Sequence, residues 1–182
     1  THLIATIGEN MTIRRAAVVS VPKGILASYV HNAMVPGMGK IGVLVGLESD
    51  SDSPELLELG KQIAMHIAAA KPLAISYDQL PLEDVEREKS ILSKQARESG
   101  KPEEIIEKML AGRLNKFYEE VCLLDQTFVI DGESKVSEII TNAAKKLNSP
   151  ISIVGFALMV LGEGVEKKEE DFAAEVAAVI SD

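Results

Sequence analysis

The stretch Ser99-Gly100-Lys101-Pro102 lies between two runs of sequence that each have the apolar periodicity of a helix. Gly is the usual residue just past a helix end and Pro is favoured at the first helical position, so one helix is predicted to end here and another to begin. Two long helices with so short a connection fold back antiparallel. Polar residues such as Lys89 interrupt the first stripe, which favours an arm that projects into solvent. The stripe positions are Leu82, Val85, Leu92 and Ala96, then Ile106, Leu110, Leu114, Phe117 and Val121.

Three segments rich in β-branched residues precede the hairpin, at residues 11–21, 25–31 and 40–47. Short connections between consecutive strands predict an antiparallel meander. Ser53 and Pro54 then predict the start of a helix, because Ser is a good cap and Pro suits the first helical position. The apolar face of this helix is expected to lie across the meander.

After the hairpin, residues 126–130 are predicted to be extended, 136–147 helical, 151–160 a strand and 167–180 a final amphipathic helix. The predicted fold class is α+β, with two small antiparallel-sheet lobes, covering helices and a projecting antiparallel helical hairpin, or coiled coil. The predicted units are an N-terminal core lobe at 1–80, incomplete at its start, the hairpin arm at 81–122, a C-terminal core lobe at 123–164 and a C-terminal helix module at 165–182.

Composition narrows the class of partner. The chain has 182 residues, 46% of them hydrophobic, with 28 acidic and 19 basic residues and a net charge of −9. This acidic balance disfavours a nucleic-acid backbone as partner. One cysteine cannot form an internal disulfide, which fits a reducing compartment, and no long apolar run predicts a membrane span. We therefore predict a cytoplasmic protein.

The candidate motifs for catalysis or cofactor binding are incomplete in this sequence. Gly37-Met38-Gly39-Lys40 lacks both the earlier Gly and the following Ser/Thr of a phosphate-binding loop. The histidines lie far apart in sequence without metal-ligand spacing. His66, within a helix, is predicted to be packed or half-buried, and Cys122 to be a small buried hydrophobe. His31, at a strand end, is by itself also better explained as structural. We predict no enzyme activity, cofactor or metal.

Several segments together resemble the translation elongation factor Ts family. The segment from Gly100-Lys101-Pro102-Glu103-Glu104 to Met109 and the segment at residues 112–121 resemble its coiled coil, and the similarity extends over essentially the whole chain. The other segments are Ile7-Gly8-Glu9-Asn10, Arg14-Arg15, residues 63–69, Gly162-Glu163-Gly164 and residues 171–178.

The sequence departs from this family at its start. Members of the family normally carry a small helical domain and a Thr-Asp-Phe-Val motif before the segment that matches here. The resemblance therefore implies an N-terminally shortened member that comprises most of the core, the coiled coil and the C-terminal module.

The resemblance implies a guanine-nucleotide exchange factor that binds elongation factor Tu in its GDP-bound and nucleotide-free states. The positions that match partner contacts in the family are Ile7, Gly8, His31, Val129 and Ile130. Val129 and Ile130 would face the third domain of the partner, and the final helix would touch its G domain. For His31, the resemblance favours a partner contact over the structural role.

Two alternatives remain open. The chain could bind elongation factor Tu without efficient exchange, since it lacks the motif that acts on the magnesium side of the nucleotide. Without the family resemblance, it could be an assembly module that dimerises through its helical hairpin.

Overall fold

The structure, a computed structural model, describes residues 2–98 and 100–165. Its elements confirm the α+β class. The predicted final helix at 167–180 lies outside the described residues. No helix in the described ranges is long and apolar enough to cross a membrane. In chain order the elements are α1 (His2–Ile7), β1 (Gly24–His31), β2 (Ile41–Ser49), α2 (Pro54–Ala70), α3 (Leu82–Glu98), α4 (Glu103–Val121), α5 (Val136–Leu147) and β3 (Ile151–Val160), with short 3₁₀ turns at Tyr77–Gln79 and Leu123–Asp125.

The sheet has three antiparallel strands in the order β1-β2-β3. Residue His31 of β1 pairs with Ile41 of β2, and Ile41 pairs in turn with Val160 of β3. The third strand therefore comes from the segment assigned to the C-terminal lobe. The described residues contain one shared sheet where the sequence predicted a sheet in each lobe. Any division of the chain into domains stays a prediction.

The predicted strand at residues 11–21 is wrong, because this segment has neither strand nor helix structure. It instead crosses one face of the sheet at Gly46, where an added Cβ would lie 2.6 Å from Val21 Cγ2 and 3.2 Å from Val19 Cγ1. The described sheet has the order β1-β2-β3, so this segment does not pair with β1 as the predicted meander required. Val19 and Val21 therefore lie against the sheet without joining it, whereas Ile13 and Val18 of the same segment are exposed.

Helix α2 covers the opposite face of the sheet, as predicted. Its cap is Ser53, whose Oγ accepts a hydrogen bond of 3.2 Å from the Glu55 backbone N–H. At Gly60 an added Cβ would lie 2.7 Å from Ala27 Cβ and 2.8 Å from Ile25 Cδ1, so this glycine permits the close approach of helix and sheet. Among the described residues, the largest fully buried apolar side chains are Val45, Leu47, Leu56, Ile63, Ile67, Leu123 and Val136.

Helices α3 and α4 contact one another, and Arg113 Nη1 donates to Gln95 Oε1 across them at 3.1 Å. Gly100 has a left-handed φ of 66° between the two helices, the conformation for which glycine is favoured. Pro102 immediately precedes α4, one residue earlier than predicted. Ala96 is the buried residue of α3 and Ile106 that of α4. Most of the hairpin surface is therefore exposed to solvent.

Candidate partner-binding surface

Ile7 and Gly8 form the exposed end of α1. Ile7 is 55% exposed, and Gly8, with φ of 79°, ends the helix by donating its N–H to the Ile4 carbonyl at 2.8 Å. The chain that follows is attached to the turn after β3. Arg14 Nη1 donates to the Glu163 carbonyl at 2.7 Å, and Arg15 forms an ion pair with the Glu163 carboxylate. Ile7 is thus an exposed apolar side chain at a helix end that a backbone hydrogen bond closes.

His31 lies at the last position of β1 and is exposed. Its Nδ1 is 3.0 Å from the Tyr29 hydroxyl, and Tyr29 is partly buried against the main core. The next residue, Asn32, takes a left-handed φ of 51° and turns the chain away from the strand. The imidazole is therefore presented at a strand end and oriented by a side chain anchored in the core.

Val129 and Ile130 occupy the tip of a turn, 46% and 47% exposed respectively. The predicted extended segment at 126–130 is only partly correct, because an isolated bridge between Thr127 and Lys135 leads directly into this turn. The Phe128 N–H donates to the Ser134 carbonyl, and the Gly132 N–H donates to the Phe128 carbonyl, each at 2.8 Å. The turn therefore presents two adjacent apolar side chains to solvent.

Asp131 closes the same turn from within. Its Oδ1 accepts hydrogen bonds from the backbone N–H of Glu133 at 3.1 Å and of Ser134 at 3.2 Å. These bonds stabilise the carboxylate and hold the pKa of Asp131 below its usual range. Phe128, only 3% exposed, anchors the turn in the core.

The predicted contact positions fall into two groups. His31 and the 161–164 turn lie at one end of the sheet, because His31 pairs with Ile41 and Ile41 with Val160. The Arg14 and Arg15 contacts bring the chain that follows Gly8 to that turn. The Val129–Ile130 turn is instead joined to α2, where the Val129 N–H donates to His66 Nδ1 at 3.2 Å.

His66 and Cys122 are both fully buried, which confirms their predicted packing. Burial raises the pKa of the Cys122 thiol to about 11, with smaller contributions from Asp125 and Asp78, so the thiol is protonated at neutral pH. Within the described ranges, no group of three or more His, Cys, Asp or Glu side chains is placed to hold a metal ion.

Comparisons with known proteins place the chain in a family. The family model described as Elongation factor TS matches residues 1–163. The chain is 56% identical over 179 residues to a protein named Elongation factor Ts from Rhodospirillum centenum and 60% identical over 178 residues to one from Gluconobacter oxydans. The aligned regions cover 98% of this chain and 57–58% of those relatives. The chain thus spans less than two thirds of their length, and it belongs to the elongation factor Ts family.

Proposed function

We propose that this chain binds elongation factor Tu and promotes GDP release from it, as a guanine-nucleotide exchange factor in translation elongation. The observation that carries the proposal is family membership along almost the whole chain, with relatives named Elongation factor Ts at 56% and 60% identity. The geometry adds exposed side chains at Ile7, His31, Val129 and Ile130, each on a turn or strand end with defined hydrogen bonds.

Nucleotide exchange breaks no covalent bond, so the proposed activity depends on binding free energy between the two proteins. A nucleotide bound with nanomolar affinity is held by about 12 kcal/mol, so an exchange factor must weaken it with free energy from its own contacts. The coupling is reciprocal: if this chain weakens GDP binding, GDP weakens binding of the chain by the same factor. Apolar side chains such as Val129 and Ile130 supply that free energy when docking removes them from water.

The test is release of fluorescent GDP from elongation factor Tu with the 182-residue chain in excess. Acceleration of release supports exchange. Complex formation without acceleration, measured separately by titration calorimetry, would replace exchange by binding alone. Absence of both would refute the proposed partner.

The assembly alternative is tested on the free protein. A module that works by pairing its α3–α4 hairpin with a second copy should sediment as a dimer at micromolar concentration, and the Ile91→Ala/Ile105→Ala variant should dissociate it. Both isoleucines are 45% exposed on the hairpin. A monomer would eliminate this alternative and leave the exchange proposal intact.

A further inference from the structure

The imidazole of His66 connects helix α2 to the exposed turn. Val129 N–H donates to Nδ1 at 3.2 Å, and Nε2 lies 2.9 Å from Gln126 Oε1. A backbone N–H can only donate, so Nδ1 must be the unprotonated nitrogen. The ring proton is therefore on Nε2 and is donated to the Gln126 oxygen. Both nitrogens of a fully buried ring are thus occupied, in one tautomer.

Gln126, the hydrogen-bond partner of the ring, is itself fixed by hydrogen bonds to two other helices. Its Nε2 donates to the Glu120 carbonyl at 2.7 Å, which fixes the side-chain amide with its oxygen toward His66. Its backbone carbonyl accepts from the Val136 N–H at 3.1 Å. Gln126 is 5% exposed, so α4, α5 and α2 all meet at this one residue and leave the imidazole little freedom to rotate.

The hydrogen-bond network around His66 matters for binding because it includes Val129, a proposed contact residue. His66 Nδ1 accepts the hydrogen bond from the backbone N–H of Val129, the first residue of the exposed apolar pair. The ring also lies 5.6 Å, centroid to centroid, from Phe128. Orientation of a contact residue before docking lowers the entropy cost of binding. A buried side chain can therefore influence an interface that it does not touch.

We propose that His66 is a positioning residue for partner binding, whose neutral imidazole, oriented by Gln126, holds the Val129–Ile130 turn in its docking conformation. This inference rests on the proposed function, since it assumes that the turn meets elongation factor Tu.

The required protonation state is favoured by the surroundings of the ring. Burial lowers the pKa of His66, with a smaller opposing contribution from the Gln126 hydrogen bond. In the part of the chain that the structure describes, the hydrogen-bond and ring partners of the imidazole are the Gln126 amide, the Val129 amide and the Phe128 ring, none of which is ionisable. A protonated Nδ1 would be a second donor facing the Val129 N–H, and the bond would be lost.

Two variants separate positioning from packing. In His66→Asn the Oδ1 atom stands near the place of Nδ1 and can still accept from Val129, whereas in His66→Gln the terminal amide stands near Nε2 and that acceptor is lost. Both side chains are polar, neutral and without titration near pH 6. We expect His66→Gln to bind elongation factor Tu·GDP about tenfold more weakly than His66→Asn, the size of one net hydrogen bond.

Amide hydrogen exchange of the free chain distinguishes positioning of the Val129 amide by His66 from simple packing of the ring in the core. The Val129 amide should be protected in the wild type and in His66→Asn, and exchange faster in His66→Gln, while amides in the middle of α5 remain equally protected in all three proteins. A second comparison uses only the wild type and His66→Asn. Their ratio of dissociation constants should stay constant between pH 7.5 and pH 6.5, because the lowered pKa keeps the wild-type imidazole neutral there, and should change only at a lower pH at which the folded wild type becomes protonated and loses its acceptor.

The outcomes are distinguishable. If the wild type binds but the two variants are equally weakened, with the same Val129 exchange, His66 is packing only and the inference is overturned. If the wild type itself does not bind elongation factor Tu, the proposed function fails and this role for His66 fails with it. Selective weakening of His66→Gln with faster Val129 exchange supports the inference.

Discussion

The apolar tip at Val129 and Ile130 gives the sharpest test of the proposed interface. Changing both residues to Ala removes five side-chain carbons. Each carbon taken out of water contributes about 0.8 kcal/mol, and the two residues are 46% and 47% exposed before docking. About half of the effect is therefore available to binding, or about 2 kcal/mol. The dissociation constant for elongation factor Tu·GDP should rise about thirtyfold.

The measurement is titration calorimetry of elongation factor Tu·GDP with the purified chain, supported by the rate of fluorescent GDP release. The matched control is Ile91→Ala/Ile105→Ala, because both residues are 45% exposed and lie on the hairpin, outside the proposed contact set. The thermal stability of this control should fall by an amount similar to that of Val129→Ala/Ile130→Ala. Its affinity for elongation factor Tu·GDP should stay within about twofold of the wild-type affinity. The reasoning is refuted if the two double variants lose the same affinity, or if the Val129→Ala/Ile130→Ala protein binds like the wild type.

Three further predictions concern the fold. The pKa of His66 is lowered in the folded chain, so its contribution to the free energy of unfolding should be complete above pH 6.5. Below that pH the contribution should decline, because the unfolded chain binds a proton more readily than the folded chain does. Urea unfolding of His66→Asn should lack this part of the decline. Gly46→Ala should cost about 1–3 kcal/mol in urea unfolding because its Cβ would lie 2.6 Å from Val21, whereas Gly42→Ala, with open space around it, should cost clearly less. Cys122, with a pKa of about 11, should react with a thiol reagent at pH 8 no faster than the chain opens; reaction at the rate of a free thiol would contradict its burial.

Local sequence signals predicted the individual elements with good accuracy. The Ser53 cap with Pro54 marked the start of α2, and the apolar spacing between Val136 and Leu147 matched α5. Both signals depend on interactions within about one turn of the chain, such as a capping hydrogen bond, which the neighbouring residues decide. The place of His66 within an apolar helix predicted a packed or half-buried ring, and the structure shows it fully buried.

The contact positions had a different source. Ile7, Gly8, His31, Val129 and Ile130 were identified by family resemblance, since residue chemistry alone assigned His31 a structural role. The structure shows His31, Ile7, Val129 and Ile130 exposed, while their contact with a partner stays a prediction. No local signal pointed to the bond between His66 and Val129, because the two residues are 63 positions apart.

The sequence by itself determined where most helices and strands begin and end, the α+β class and the family, because these follow from local spacing, capping and segment similarity. Only the tertiary structure decided which strands pair. Residues 11–21 have the composition of a strand and were predicted to pair with β1, yet the described sheet joins β1 to β2 and β2 to β3, a segment more than a hundred residues after β2. Strand pairing satisfies backbone hydrogen bonds between distant segments, and several segments of similar composition can compete for one edge. The same long-range packing placed a buried imidazole beneath the exposed turn at Val129.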